Sequence, residues 1–278
     1  MNNFYQRTIT GAVFVAVLIG AIYFHYYSFL ILFSLIIILS LLEFYKIVKS
    51  ENVIPQRFAG IAASVILFAT VAYSQATGNF IYLLINFPVI FLIFINELFK
   101  NKKNPFYNIA FTVLGIIYIA LPVSLINLIV ISPGADYNPV LILGYFFLLW
   151  SYDTGAYLVG RLTGKNKLFE RVSPKKTWEG AIGGIVISVG ISYIISQNYI
   201  LLSFSEWAVI AVIIAVTGTL GDLTESMLKR STDIKDSGSL LPGHGGLLDR
   251  FDALFVSIPF VTAYLYLIIS DQLQINFF

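Results

Sequence analysis

Three consecutive stretches decide the fold class: SFSEWAVIAVIIAVTGTLG (203–221), DLTESMLKRSTDIKDSGSLLPGHGGLLDRFD (222–252) and ALFVSIPFVTAYLYLIIS (253–270). The outer two are apolar, and each approaches the roughly 20 residues that a helix needs to cross a bilayer. The middle stretch holds six of the fifteen acidic residues and four of the seventeen Lys and Arg residues. A charged loop between two apolar segments indicates polar chemistry at a membrane surface.

The apolar character extends over the whole chain. Of its 278 residues, 58% are hydrophobic and 12% are charged, and the mean hydropathy is +0.84. Backbone polar groups find no water in lipid, so the apolar segments must be helices. We therefore predict an all-α, polytopic integral membrane protein with about nine transmembrane helices. Their approximate positions are 8–24, 28–42, 58–74, 80–95, 108–131, 139–160, 180–197, 203–221 and 253–270.

The basic residues predict an orientation for these spans. With a cytosolic N-terminus and nine spans, all seventeen Lys and Arg residues fall on the cytosolic side, as the positive-inside rule demands. The loop 222–252 then faces the cytosol, where nucleotides are. The chain has no Cys, which excludes disulfides, thiolate metal sites and Cys nucleophiles.

The character of the chain changes near residue 132. Residues 1–131 contain five spans with short loops, and polar residues such as Glu43 and Glu97 lie mostly at helix ends, where interfacial solvation explains them. In residues 132–278 the cytosolic loops lengthen and collect charge. We predict a membrane scaffold in the first part and a catalytic membrane domain with cytosolic site loops in the second.

One candidate constellation follows the eighth span. Asp222, Glu225, Ser226, Lys229 and Arg230 have helical spacing, so they share one face if that span continues as a helix. The alternative is a solvated helix end with a Glu225–Lys229 pair. Asp222 favours a functional site, because it ends an apolar run where an ionised carboxylate needs a partner.

A second pair of acids opens the ninth span. Asp249 and Asp252 are three residues apart, and capping of the helix explains one of them. Two acids beside Arg250 exceed that need, and with Asp222 they can surround a divalent ion. The glycines around His244 let backbone N–H groups approach an anion, although a tight turn is the alternative.

The sixth loop supplies Ser173, Pro174, Lys175 and Lys176. Ser followed by Pro predicts a helix start, with Ser173 as the N-cap and Pro174 as the first helical residue. Both lysines then oppose the helix dipole, which favours a bound anion such as a phosphate. The alternative is that these lysines only fix the membrane orientation.

Two further features lie inside spans. Asp153 is an acid within the sixth span, where insertion costs on the order of 2.5–3.5 kcal/mol, so a functional role is favoured. Gly180 and Gly184 form a GxxxG pattern, which indicates close helix packing and is compatible with a homodimer.

The run from Ser226 to Asp252 closely resembles the diagnostic motif of phosphatidate cytidylyltransferases, also called CDP-diacylglycerol synthases. That motif is S-x-apolar-K-R-x4-K-D-x-small-x2-apolar-P-x-H-G-G-apolar-x-D-R-apolar-D. It is met here by Ser226, Lys229, Arg230, Lys235, Asp236, Gly238, Leu241, Pro242, His244, Gly245, Gly246, Asp249, Arg250 and Asp252. The stretches 153–157, 173–178 and 221–223 also look like family elements, so the resemblance covers roughly 150–252.

The resemblance implies transfer of CMP from CTP to phosphatidate, giving CDP-diacylglycerol and pyrophosphate, with one or two Mg²⁺ ions that Mn²⁺ can replace. We expect catalytic roles for Asp222, Asp249, Lys229 and Arg230, and metal binding by Asp222, Asp249 and Asp252. Substrate binding is expected from Asp153, Ser173, Lys175, Lys176, Ser226, Lys235, Asp236, His244 and Arg250.

The implied partners are CTP, phosphatidic acid and the bilayer, with no nucleic acid. Short loops and the lack of a targeting peptide favour a bacterial inner membrane, with the active site facing the cytosol.

Two alternatives stay open. A CTP-dependent kinase acting on a polyprenol or phytol would release CDP, and a transporter would use acids such as Asp153 as an ion path, although transporter sites lie near the midplane between repeats.

Overall fold

The computed structural model describes residues 3–131, 136–199, 201–234, 237–238 and 245–269. The predictions for Lys235, Asp236 and His244 lie outside these residues. Over the described part the chain is predominantly helical, with one two-stranded antiparallel sheet of β1 (Lys167–Phe169) and β2 (Ser173–Thr177). The helices are α1 (Asn3–Phe24), α2 (Tyr26–Ile47), α3 (Arg57–Thr77), α4 (Asn86–Leu98), α5 (Pro105–Gly115), α6 (Leu121–Val130), α7 (Val140–Thr163), α8 (Trp178–Asn198), α9 (Phe204–Ser231) and α10 (Leu248–Ile268).

Two helical runs of the chain are continuous through a short segment of another helix type. A 3₁₀ segment, Phe80–Ile85, leads directly into α4, and a π-helical segment, Ile116–Ala120, joins α5 to α6. The π segment lies just before Pro122, whose missing N–H interrupts the α-helical hydrogen bonds of the preceding turn.

Seven helices or helical runs of the described chain are long and apolar enough to cross a membrane, judged by length and composition. They are Tyr26–Ile47, Arg57–Thr77, Phe80–Leu98, Pro105–Val130, Trp178–Asn198, Phe204–Ser231 and Leu248–Ile268, and Thr8–Phe24 is a shorter apolar helix. α7 corresponds to the sixth predicted span but is not among the seven helices or helical runs. It carries Asp153 and Arg161 in its C-terminal half. The all-α membrane class is confirmed, whereas the count of nine spans and the cytosolic N-terminus stay predictions.

The chain forms two compact units. The first comprises the chain up to Tyr137 together with Thr232–Phe251, and the second comprises Asn138–Ser231 and the chain from Asp252 onward. The predicted division of roles at residue 132, scaffold before it and catalysis after it, stays a prediction.

The core of the first unit is built on buried aromatic rings. The ring of Phe29 packs at a tilt against the rings of Phe33 and Phe68. The Tyr45 hydroxyl donates to the Thr112 carbonyl at 2.8 Å. Tyr137 donates to the backbone carbonyl of Ile22 at 2.5 Å. Burial, with a smaller contribution from Tyr26, raises the pKa of Tyr137, so its hydroxyl stays neutral and keeps its proton for this bond.

In the second unit, α8 packs closely on α7. A Cβ on Gly184 would lie 2.8 Å from the Tyr152 carbonyl oxygen, and a Cβ on Gly180 would lie 2.7 Å from the Ala156 carbonyl oxygen. The GxxxG pattern therefore serves close packing within one chain, as predicted. Since this face is used by α7, it gives no support to a homodimer, which stays a prediction.

The predicted helix start at Ser173 is wrong. Residues Ser173–Thr177 form β2, and α8 begins at Trp178, with the Thr177 hydroxyl as its N-cap accepting from the Gly180 N–H at 3.2 Å. Pro fits a short edge strand as well as a helix start, and the pairing of Lys167 with Thr177 decides between them. Lys175 and Lys176 consequently lie on a strand and not in the first turn of a helix, so they do not oppose a helix dipole there.

Candidate active site

The predicted face beyond the eighth span exists, because α9 continues as a helix to Ser231. Asp222, Ser226 and Lys229 are partly buried along it, Glu225 is 1% exposed, and Arg230 is exposed at its end. Lys229 Nζ lies 2.5 Å from Glu225 Oε2, so this i,i+4 pair from the alternative interpretation is also present. One helix face thus carries carboxylates first and basic groups one to two turns later.

Asp222 has a cationic partner from another element. The Lys176 ammonium, near the end of β2, donates a hydrogen bond to Asp222 Oδ2. The two side chains are 30% and 28% exposed, respectively, so solvent still reaches the pair. This pair joins two residues that were predicted as site residues from separate stretches of sequence.

A cavity of about 430 Å³ lies around this pair within the second unit. Asp153, Lys175, Lys176 and Asp222 all line it. Arg161, at the end of α7, adds a further basic group to the lining. The cavity therefore combines two carboxylates with three basic side chains, which suits an anionic ligand accompanied by a cation.

The wall of the cavity is held by a buried hydrogen bond. The hydroxyls of Tyr152 and Thr219 lie 2.5 Å apart, and both residues line the cavity next to Asp153 and Asp222. This bond joins α7 to α9 at the depth of the two acids. It fixes the helices that carry both carboxylates.

Asp252 lies near the same acids because its backbone contacts Gly221 of α9. A Cβ on Gly221 would lie 2.5 Å from the Asp252 carbonyl oxygen, so the absence of a side chain at Gly221 lets α9 contact the backbone of α10. Asp252 lies within electrostatic reach of Asp222, Glu225 and Lys176. The second unit therefore gathers Asp153, Asp222 and Asp252 near one lysine.

Asp249 lies in the first unit and holds the loop before α10. Its Oδ2 accepts from the backbone N–H groups of Ser237, at 3.1 Å, and Gly246, at 2.9 Å. Gly245 between them has φ +83°, a left-handed conformation that favours glycine. Arg250, the next residue of α10, is exposed. Asp249 thus ties together the described backbone that precedes α10.

Carboxylate oxygens are the ligands that Mg²⁺ prefers, and it usually takes one or two carboxylates together with substrate phosphates. Among the described residues, no group of three or more His, Cys, Asp or Glu side chains is placed to hold an ion by itself. Asp222 and Asp252 have the oxygen ligands that a cation shared with a substrate phosphate needs, and the ammonium of Lys176 gives Asp222 a positive partner. The metal ligands stay a prediction.

Sequence reasoning missed two carboxylates that fix backbone segments of the fold. Glu179 accepts from the backbone N–H groups of Lys165 and Asn166 at 3.1 Å, which fixes the turn between α7 and β1. Glu43 accepts from the backbone N–H of Leu248 at 2.8 Å. The signal that could have identified Glu179 is an acid in the first turn of a helix, whereas no local signal points to Glu43.

A family model described as the cytidylyltransferase family matches residues 5–268. Curated relatives named phosphatidate cytidylyltransferase align with the chain. The relative from Haemophilus influenzae is 36% identical over 173 residues, 60% of either chain, and that from Bacillus subtilis is 40% identical over 176 residues, 63% of this chain and 64% of the relative. The relative from Staphylococcus haemolyticus is 36% identical over 208 residues, 74% of this chain and 77% of the relative. The alignments thus span about three fifths of the first two relatives and about three quarters of the third.

Proposed function

The chain belongs to the cytidylyltransferase family, and we propose that it transfers CMP from CTP to phosphatidate, giving CDP-diacylglycerol and pyrophosphate. Its relatives carry the name of that activity. The observation that carries the proposal is the Lys176–Asp222 pair in a cavity of about 430 Å³, because it sets a phosphate-binding cation beside a metal-binding carboxylate.

The basic side chains of the cavity bind and orient the anionic substrates. Lys175, Lys176 and Arg161 neutralise phosphate oxygens, and a phosphate that takes the Lys176 ammonium releases the Asp222 carboxylate for a metal cation. Lys229 and Arg230 extend the basic surface along α9. We assign pyrophosphate binding to this extension, since it lies one to two turns beyond Asp222.

The reaction needs no protein nucleophile. A phosphate oxygen of phosphatidate attacks the α-phosphorus of CTP, a new P–O bond forms, and the bond between that phosphorus and the α,β-bridging oxygen breaks as pyrophosphate leaves. Bound Mg²⁺, which Mn²⁺ can replace, would neutralise the charge on the triphosphate and the leaving group. Asp222 and Asp252 would hold it, with Asp153 beside them, and Asp249 is proposed as a further ligand from its place in the motif. The protein contributes alignment of the two phosphates and charge compensation.

The membrane setting completes the proposal. The apolar helices place the chain in a bilayer, and its relatives are bacterial. We propose the inner membrane, with the cavity open to the cytosol, because the positive-inside rule puts all the Lys and Arg residues there. The homodimer is retained as a proposal, and light scattering of the purified protein in detergent would test it.

The decisive experiment uses purified protein, phosphatidate, Mg²⁺ and CTP labelled at the α-phosphate. We expect label in the lipid and an equal amount of pyrophosphate. Label recovered only in CDP, with phosphate added to a polyprenol or phytol, would replace the proposal with a lipid kinase. No CTP turnover with Mg²⁺ or Mn²⁺ would leave the transporter interpretation. Asp222→Asn serves as the inactive reference, and Glu206→Gln, outside the cavity lining, serves as the active one.

A further inference from the structure

Glu43 of α2 contacts the loop that precedes α10, although 205 residues separate it from Leu248. Its Oε2 accepts from the Leu248 backbone N–H at 2.8 Å and from the Ser237 hydroxyl at 3.4 Å. Leu248 is the first residue of α10, where backbone N–H groups have no partner within the helix. A carboxylate at this end also interacts favourably with the helix dipole. Glu43 therefore supplies the cap of α10 from a distant part of the sequence.

The Glu43 carboxylate also explains why two positions of the motif are glycine. A Cβ added to Gly238 would clash with Glu43 Oε1, and one added to Gly246 would lie 2.6 Å from Glu43 Oε2. A Cβ at Gly246 would clash with the Ser237 hydroxyl as well. The Glu43 carboxylate occupies the space that a side chain at either position would need, so these two glycines of the motif are compatible with it.

Two carboxylates hold the described residues of this loop. Glu43 binds the N–H of Leu248, and Asp249 binds the N–H groups of Ser237 and Gly246. All of these residues belong to the first unit. Movement of either carboxylate would displace the backbone that carries Asp249 and Arg250.

We propose that Glu43 is a positioning residue for the reaction: it fixes the backbone around Gly238, Gly246 and Leu248 and thereby the placement of Asp249. The inference rests on the proposed function for its kinetic effect and on the structure alone for its effect on the loop. It replaces the interpretation of Glu43 as an acid that is merely solvated at a helix end.

The test is a double-mutant cycle between Glu43 and Gly238. We expect Glu43→Ala and Gly238→Ala each to lower kcat/KM about 10- to 100-fold, the range found for residues that orient a site from outside it. In the Glu43→Ala background the clash is gone, so adding Gly238→Ala should change kcat/KM by less than about 2-fold, a clear departure from additivity. Glu43→Gln keeps an acceptor oxygen and should recover most of the activity.

The matched control is Glu206→Ala. Glu206 is also a glutamate that binds backbone at a helix start, since its Oε2 accepts from the Ser203 N–H at 2.6 Å and the Ser203 hydroxyl at 2.8 Å, directly before α9. It tests whether removal of any capping glutamate slows the enzyme, and we expect activity within about 2-fold of the unsubstituted protein. Glu43→Asp, which withdraws the carboxylate by one methylene, is the second background for Gly238→Ala if Glu43→Ala does not fold.

Hydrogen–deuterium exchange of the same variants gives a readout that does not need catalysis. Glu43→Ala should speed exchange of the Leu248 amide and of its neighbours in peptides covering 245–251, with the rest of the chain unchanged. Additive effects of Glu43→Ala and Gly238→Ala on kcat/KM, or unchanged exchange at Leu248, would overturn the inference. If the unsubstituted protein transfers no CMP while Glu43→Ala still speeds this exchange, the proposed function fails and the contact stands.

Discussion

The Lys176 ammonium binds the Asp222 carboxylate across 46 residues of sequence and joins β2 to α9. The pair is partly exposed, so its net contribution to folding is small, about 0–1 kcal/mol. The pair also lines the cavity: in the proposed reaction, Lys176 would bind a phosphate of the nucleotide and Asp222 would bind the metal cation. Before the ligands bind, the contact between the two side chains leaves neither charge isolated in the cavity.

The first prediction separates this role from a structural one. Lys176→Asp combined with Asp222→Lys restores an ion pair with the charges exchanged, and we expect near-normal folding. Activity should stay at least about 100-fold below that of the unsubstituted protein, because charge stabilisation of this kind depends on placement. Labelled lipid formed from CTP measures activity, and thermal unfolding in detergent measures folding.

Recovery of activity in the exchanged pair would show that the contact between β2 and α9 matters rather than the identity of each charge. The single variants Lys176→Gln and Asp222→Asn complete the comparison. Each should lose activity by a similar factor while the protein stays in the membrane fraction.

The second prediction concerns the contact between α7 and α8. Gly184→Leu should destabilise the protein strongly, because even a Cβ there would lie 2.8 Å from the Tyr152 carbonyl oxygen. Gly190, on the same helix, has nothing within 4 Å of its added Cβ. Gly190→Ala should therefore be neutral or raise stability by up to about 1 kcal/mol, through helix propensity. Equal unfolding temperatures for the two variants would contradict the close packing.

The parts of the fold that the sequence predicts are those set by local patterns. Apolar runs locate the helices, and the spacing of Asp222, Glu225 and Lys229 predicts a continued α9, since hydrophobicity and periodicity act over neighbouring residues. The prediction of a helix start at Ser173 is wrong because serine and proline suit a helix start as well as a short strand, and the pairing of β1 with β2 decides between them.

Contacts between distant residues leave no local signature. Glu43 resembles any acid at the end of an apolar helix, and only the folded backbone brings it to Leu248. The pairing of Lys176 with Asp222 is of the same kind. The sequence identifies both residues as site candidates, but which carboxylate contacts which cation depends on how β2 and α9 pack.

The third prediction concerns a buried carboxylate outside the site. Glu97 is 2% exposed, and its two oxygens accept from Gln56 Nε2 and Asn108 Nδ2, each at 2.7 Å. Glu97→Ala would leave both amides without this acceptor, at about 1–3 kcal/mol each. We expect the unfolding temperature to fall by roughly 2–4 °C for each kcal/mol lost. Activity should be retained at temperatures well below the unfolding transition. The exposed Glu51 gives the control, Glu51→Ala, and an equally small shift in both variants would contradict the network's structural role.

The fourth prediction tests the orientation on which the cytosolic site depends. The chain has no Cys, so a single introduced Cys reports its own side of the membrane. Asn79, between α3 and the 3₁₀ segment, is on the outer side of the proposed topology, whereas Lys102 and Ser231 are on the cytosolic side, and all three are exposed. A membrane-impermeant maleimide added to spheroplasts should label Asn79→Cys directly, and label Lys102→Cys and Ser231→Cys only after permeabilisation. Direct labelling of Ser231→Cys would put Lys229 and Arg230 on the outer side of the membrane, where CTP is absent. Both the orientation from the positive-inside rule and the proposed binding of CTP from the cytosol would then fail.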